Sequence, residues 1–350
     1  MLDRVVSQSQ LLALVDELAL SRRIVGPVRR SDRHFYGPVD RADKLDLDFK
    51  YCVYSPKAAL FPADQTLFEF QTGPDGFQTS PVYDESPLAL VGVHPCDINA
   101  IRLLDRVFSN TNIDEHYLSR RRQTFIVGID CPTPCTSGVF CRDMKANEAR
   151  EGADIMCSPL PPNGVSDDVR YGVVFGTDAG REFVLYSHAG DPPTVDDERA
   201  SERYISDKAR AFPQSIPYDV DALPELLERS YDSLLWEATA RRCYSCGSCN
   251  LSCPTCYCFN TYDRLEMTLT SGTRQREWDG CQLRSFAVVA GDHNFRAKAA
   301  ARLRHRIYRK AKWVKEREGV AGCVGCARCD RACTAKISSV EIYNQLAEEV

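Results

Sequence analysis

Two cysteine runs near the C-terminus constrain this chain more than any other feature of its sequence. They read Cys243-x2-Cys246-x2-Cys249-x3-Cys253 and Cys323-x2-Cys326-x2-Cys329-x3-Cys333. Bacterial two-cluster ferredoxins hold two [4Fe-4S] clusters with this spacing, and the fourth cysteine of each run reaches the other cluster. The runs therefore predict two [4Fe-4S] clusters with crossed ligation.

Other uses of cysteine fit this pattern poorly. Structural zinc sites usually take two CxxC pairs separated by a finger, whereas here four cysteines fall within eleven residues, twice. The chain has 17 cysteines in 350 residues, which is below the ~8–10% typical of disulfide scaffolds. The sequence shows no export signal, and cytosolic thiols stay reduced and free to bind metal. We therefore expect a cytoplasmic iron-sulfur protein.

Composition excludes several other classes of protein. The hydrophobic share of 43% and the charged share of 27% are those of a folded globular protein. The formal net charge of -5 argues against a nucleic-acid-binding protein. No stretch reaches the ~18 consecutive apolar residues of a membrane span.

Hydrophobic periodicity predicts an α+β protein with two parts. The first twenty residues and Asp97–Phe108 have helical spacing, and six short runs have strand character. These runs are 52–55, 66–70, 89–93, 124–129, 171–175 and 182–186. From Asp221 the pattern becomes helical, and the ~70 residues between the cysteine runs look largely helical as well. We expect a mixed α/β domain over 1–220 and a mainly helical two-cluster ferredoxin domain over 221–350.

An ordered set of motifs resembles one family along most of the chain. The motifs are YSPKAALFPADQTLFEF, VGVHPCDINAIRLLD, VGIDCPTPC, CGSCNLSCPTCYCF, REWDGCQ, AGDHNFR and GCVGCARCDRAC. In this order they resemble the β subunit of cytoplasmic bidirectional [NiFe] hydrogenases, the sulfhydrogenases. The iron-sulfur relay subunit of anaerobic sulfite reductase is similar.

The resemblance implies an electron-relay subunit without an active site of its own. Electrons would pass between the small and large subunits of a hydrogenase and a flavin-bearing subunit that oxidises NAD(P)H. The resemblance implies two sets of cluster ligands. Cluster 1 would be held by Cys243, Cys246, Cys249 and Cys333, and cluster 2 by Cys323, Cys326, Cys329 and Cys253. A relay subunit of a sulfite reductase and a stand-alone redox enzyme are the alternatives. Neither a G-x-G-x-x-G nor a P-loop motif is visible, so we assign no catalytic residue.

The cysteines outside the two runs leave two interpretations open. Four of them could hold a third [4Fe-4S] cluster, namely Cys96, Cys131, Cys135 and Cys141, or they could be ordinary core residues, because free cysteine is often buried. Three more follow the first run, Cys256, Cys258 and Cys281. These could form an extra metal site, although packing against a cluster and tuning it is the better interpretation. We expect Cys52 and Cys157 to be core residues.

Positive charge is concentrated between Arg296 and Arg317, where ten residues are Lys or Arg. This density is consistent either with a surface that docks an acidic partner or with a solvated helix face. No nucleic-acid-reading motif accompanies it.

Overall fold

A computed structural model of the chain describes residues 1–74, 76–161 and 168–349. Its strands are β1 (Arg4–Ser7), β2 (Arg23–Arg30), β3 (Arg33–Val39), β4 (Asp64–Gly73), β5 (Gly76–Pro81), β6 (Leu88–Val93), β7 (Thr124–Ile129), β8 (Ile155–Leu160), β9 (Arg170–Phe175), β10 (Phe259–Leu265), β11 (Ser271–Trp278), β12 (Val288–Val289) and β13 (His293–Asn294). Its helices are α1 (Gln8–Ala19), α2 (Lys57–Leu60), α3 (Pro95–Ser109), α4 (Glu115–Arg122), α5 (Asp178–Tyr186), α6 (Val195–Ala211), α7 (Leu223–Arg229), α8 (Leu235–Ala240), α9 (Ser248–Leu251), α10 (Ala299–Tyr308), α11 (Val314–Glu318), α12 (Arg328–Ala332) and α13 (Ser339–Glu349), and a π-helical turn, Arg309–Trp313, joins α10 to α11.

The N-terminal half is built around a mixed sheet. Among the described residues, seven strands pair in the order β1-β9-β8-β7-β6-β2-β3. The four neighbours β2, β6, β7 and β8 are parallel, and the outer pairings are antiparallel. Strands β6 and β7 are buried along their whole length, as expected for parallel strands that are covered on both faces.

Helices cover the two faces of this sheet. Ser7 caps the N-terminus of helix α1: its hydroxyl accepts from the Gln10 backbone while the Gln10 side chain accepts from the Ser7 backbone, forming a capping box. The leucines of α1 pack on one face, and the Ile98 and Ile101 side chains of α3 pack on the other. This arrangement confirms the mixed α and β content predicted from the sequence.

The C-terminal half contains a helical core and also β structure. Helices α7, α8, α10 and α13 contribute to one hydrophobic cluster that includes Trp236, Tyr308 and Tyr343. Strands β10 and β11, however, lie between the two cysteine runs and pair with β4 and β5 in a four-stranded antiparallel sheet. The expectation of a largely helical segment there is therefore not confirmed. Because this sheet joins strands from both sides of residue 220, the domain division at that point remains a prediction.

Two of the strand assignments made from the sequence were wrong. Residues 182–186 lie in helix α5, which Thr177 caps by accepting from the Gly180 backbone. Gly180 and Val184 are buried four residues apart, which is helical spacing. Residues 52–55 form no strand, and Cys52 makes only an isolated bridge with His34. The strands predicted at 66–70, 89–93, 124–129 and 171–175 and the helix predicted at Asp97–Phe108 fall within observed elements. The helix predicted for the first twenty residues is shorter, because Arg4–Ser7 forms strand β1 and α1 spans only Gln8–Ala19.

Candidate iron-sulfur centres

The two cysteine runs adopt the same loop conformation. In the first run Ser245 and Gly247 have φ of 53° and 75°, and in the second the equivalent Gly325 and Ala327 have φ of 65° and 53°. The backbone N–H of Ser245 donates to Cys243 Sγ at 3.4 Å, and that of Gly325 donates to Cys323 Sγ at 3.4 Å. Left-handed residues turn the backbone tightly, so each loop curls around its first thiol. The same loop conformation around a thiol therefore occurs twice in the chain.

The fourth cysteine of the first run lies with the second run. One enclosed cavity is lined by Cys253 together with Cys323, Cys326 and Cys329. Thr255, two residues after Cys253, donates to the carbonyl of Gly322 at 2.7 Å and fixes the two segments against each other. The structure therefore brings together the four residues predicted for cluster 2.

The cysteines of the other set occupy a more open position. Cys246 is exposed, while burial raises the pKa of the Cys249 thiol to about 11. Cys333 ends helix α12, which packs against α9 of the first loop. Its Sγ accepts from the backbone of Ile337 at 3.4 Å.

Three buried cations lie beside these thiols without a carboxylate partner among the described residues. Lys57 donates to the carbonyls of Cys253 and Cys256 at 3.2 and 3.0 Å, and Lys310 donates to Thr255 Oγ1 at 2.6 Å. The Nε of Arg306 has no hydrogen-bond partner. Burying a charge without a counter-charge is very costly.

The surrounding thiols are the groups that can supply this counter-charge. Burial lowers the pKa of Lys57, but at Lys310 the neighbouring Cys253, Cys256 and Cys323 outweigh burial and raise the pKa. The pKa of Arg306 is raised in the same way, by Cys249 and Cys329. A group with an all-thiolate donor set and a net negative charge fits this environment, as a [4Fe-4S] cluster would. Among the described residues no three His, Cys, Asp or Glu are arranged to hold a single metal ion.

The four N-terminal cysteines also lie together. Cys96 follows strand β6 and Cys131 follows strand β7, and carboxyl ends of neighbouring parallel strands meet at one edge of a sheet. Both pack with Cys135 and Cys141 around a small hydrophobic cluster. That cluster includes Ala327, so the group adjoins the second cysteine run.

Burial and two buried ion pairs define the electrostatics of this N-terminal group. Burial raises the pKa of Cys141 to about 12 and raises those of Cys96 and Cys131 well above the usual range. Arg328, one residue before Cys329, donates to both carboxylate oxygens of Asp97 at 2.6 and 2.7 Å. Lys208 pairs with Asp130 in the same region. Cations are thus present beside this group too.

Cys256, Cys258 and Cys281 form a further set of thiols beside the first loop. The Asn250 amide donates to Cys281 Sγ at 3.4 Å and to Cys256 Sγ at 3.7 Å. A hydrogen bond from the Cys256 thiol is the largest cause that lowers the pKa of Cys253. These contacts link the set to a predicted ligand. Cys157, in contrast, is fully buried in the sheet core, as expected for a core residue.

Several cations of the basic stretch between Arg296 and Arg317 point into the protein interior. Arg302, Arg306 and Lys310 are buried. Arg302 donates to the carbonyls of Gln282, Arg296 and Ala297 and to Ser245 Oγ of the first cysteine loop. These three cations therefore support the cysteine loops and are not available to a docking partner.

Sequence reasoning missed several residues that shape the sites, among them Lys57, Asp97, Asn250, Gln282 and Arg328. Each lies inside one of the motifs that carry the family resemblance, next to or between cysteines or in the SPKAALFP segment. Their position in those motifs was the one sequence signal that could have marked these residues as part of the sites. Their roles depend on contacts with distant segments.

Comparison with known proteins supports the same conclusion. The family model of a 4Fe-4S dicluster domain matches residues 242–337, a range that contains all eight cysteines of the two runs. Over 327 residues the chain is 32% identical to Sulfhydrogenase 2 subunit beta of Pyrococcus furiosus, with 93% of this chain and 92% of that protein covered. These matches confirm the resemblance and the prediction of [4Fe-4S] clusters. The chain belongs to the sulfhydrogenase β-subunit family of iron-sulfur proteins.

Proposed function

We propose that the chain relays electrons between a flavin subunit that reacts with NAD(P)H and the small and large subunits of a cytoplasmic [NiFe] hydrogenase. The observation that carries this proposal is the set of three buried cations, Lys57, Arg306 and Lys310, packed against thiols without carboxylate partners among the described residues. When bound, [4Fe-4S] clusters supply one-electron carriers. The cations would stabilise the additional negative charge of the reduced state.

Two ligand sets follow for the C-terminal half. Cys323, Cys326, Cys329 and Cys253 would hold cluster 2, which is supported by the cavity that they share. The two loops are equivalent and α9 packs on α12. By this equivalence, Cys333 is the fourth cysteine that completes the ligand set of the first loop, as Cys253 completes that of the second loop. We accordingly assign Cys243, Cys246, Cys249 and Cys333 to cluster 1.

We further propose that Cys96, Cys131, Cys135 and Cys141 hold a third [4Fe-4S] cluster. Their packing against Ala327, a residue of the second cysteine run, supports a position next to the proposed cluster 2. The three centres would then form a series, with the N-terminal group at one end and the exposed Cys246 at the other. No residue is assigned to substrate chemistry.

Iron analysis of the full chain tests the third cluster. The double variant Cys131→Ala/Cys135→Ala should lose ~4 iron atoms per chain relative to wild type. The matched control Cys157→Ala removes a buried thiol that lies apart from these groups and should keep its iron. Equal iron content in both variants would contradict the third cluster.

The identity of the subunits that copurify tests the rest of the proposal. A large subunit that contains nickel and a second one that contains flavin are expected. A sirohaem subunit in their place would assign the chain to sulfite reduction.

A further inference from the structure

The first cysteine loop reaches the protein surface. Of the eight cysteines in the two runs, Cys246 is the one that is exposed. Its neighbour Tyr244 is 73% exposed and Leu251, at the end of α9, is 41% exposed. A centre held by this loop therefore lies close to solvent and to anything that docks there.

A second segment extends this surface. Leu283 lies beside the loop, because a Cβ added to Gly247 would be 3.0 Å from Leu283 Cδ2. The chain from Leu283 to Lys298 also carries the exposed side chains of Val288, Val289 and Phe295. Residues 241–251 and 283–298 are together called the Cys246 surface below. Its apolar side chains have the character of an interface core.

The charge of the Cys246 surface is opposite to that of the whole chain. It contains five cations, Arg241, Arg242, Arg284, Arg296 and Lys298, and one acid, Asp292, for a net charge of +4 against -5 for the chain. Arg241, Arg242, Arg284 and Lys298 are exposed, and among the described residues none of them pairs with a carboxylate. Exposed cations on a surface that also carries exposed apolar side chains favour association with a negatively charged partner.

We propose that the Cys246 surface docks an acidic electron-transfer protein that carries its redox group close to its own surface. This inference rests on the proposed relay function and names where one partner binds. In the exchange, one electron leaves the reduced centre held by the Cys246 loop and one electron arrives at the partner's oxidised group. The four exposed cations steer the encounter, and the apolar side chains exclude water from the contact.

The surface differs from the docking region expected from sequence. Arg302, Arg306 and Lys310 of the basic stretch face inward, whereas Arg241, Arg242 and Arg284 lie outside that stretch and face solvent. Only Arg296 and Lys298 belong to both.

Electron transfer to an acidic flavodoxin tests the docking surface. The full chain, loaded with iron and sulfide, is reduced with dithionite, desalted anaerobically and mixed with oxidised flavodoxin in a stopped-flow instrument. The variant Arg241→Gln/Arg242→Gln/Arg284→Gln/Lys298→Gln should lower the second-order rate constant at low salt by about tenfold or more. Rising salt should slow the wild type and have little effect on the variant.

Two controls make the result specific. The variant Arg29→Gln/Arg30→Gln/Lys50→Gln/Arg150→Gln removes as many exposed cations from the N-terminal half and should change the rate constant less than about twofold. A lysine-rich cytochrome c should show no slowing as salt rises. Equal losses in both quadruple variants would overturn the proposal. Iron content and reduction by dithionite distinguish a failure of the docking surface from a failure of the relay function. If the quadruple variant of the Cys246 surface keeps its iron, is reduced by dithionite and transfers electrons as fast as wild type, the docking surface is wrong and the relay function stands.

Discussion

The ion pair between Asp97 and Arg328 provides a quantitative test of how the two halves are held together. The two carboxylate oxygens of Asp97 accept from Arg328 at 2.6 and 2.7 Å, and the side chains are 1% and 4% exposed. Asp97 opens α3 beside Cys96, whereas Arg328 opens α12 between Cys326 and Cys329. The pair thus ties the N-terminal cysteine group to the second cysteine run.

The variant Asp97→Asn leaves the buried guanidinium of Arg328 without its carboxylate partner. Removing one partner of a buried pair costs about 3–5 kcal/mol of folding free energy. Most of this cost is the desolvation of the remaining charge, so a variant that removes both charges should be much less affected. We expect Asp97→Leu/Arg328→Met to recover more than half of the loss.

Anaerobic urea unfolding of the iron-loaded chain measures this difference. The matched control is Asp196→Asn, which breaks a surface pair with Arg199 whose side chains are 88% and 66% exposed. That control should cost no more than about 1 kcal/mol. If Asp97→Asn were as stable as Asp196→Asn, the argument that this buried pair joins the two halves would be refuted.

Two further predictions concern the centre in the second cysteine run. Lys310→Met should lower the reduction potential of that centre by on the order of 50–100 mV, because a buried positive charge no longer stabilises the reduced state; an anaerobic redox titration measures it, and an unchanged or higher potential would contradict the electrostatic role. Cys253→Ser should alter the electron paramagnetic resonance signal of the centre at Cys323, Cys326 and Cys329 more than that of the first run, and the reverse order would exclude crossed ligation.

The cysteine runs could be predicted because most of the cysteines proposed for each centre lie in one continuous loop. Three thiols of each proposed set lie within seven residues, so their spacing alone indicates a loop that can bind one cluster. Helices α1 and α3 were also predictable, since their apolar periodicity and the sheet that they cover agree.

The contacts that complete the sites could not be predicted in this way. Lys57 meets the carbonyl of Cys253 across 196 residues of sequence, and Asp97 meets Arg328 across 231. No local sequence pattern encodes such pairs. The sequence of a basic stretch also does not show whether its cations face solvent or thiols. Strands β10 and β11 were missed for a similar reason, because β11 pairs with β4 from the other half and β10 pairs with β11.

The chain is an iron-sulfur electron-transfer subunit, and the most direct test of this account is chemical analysis of the purified full chain under anaerobic conditions. Iron and acid-labile sulfide should each approach ~12 atoms per chain, for three [4Fe-4S] centres that dithionite reduces. The same sample should not oxidise NAD(P)H until a flavin subunit is added. Stoichiometric zinc without labile sulfide, or NAD(P)H oxidation by the chain alone, would contradict the account.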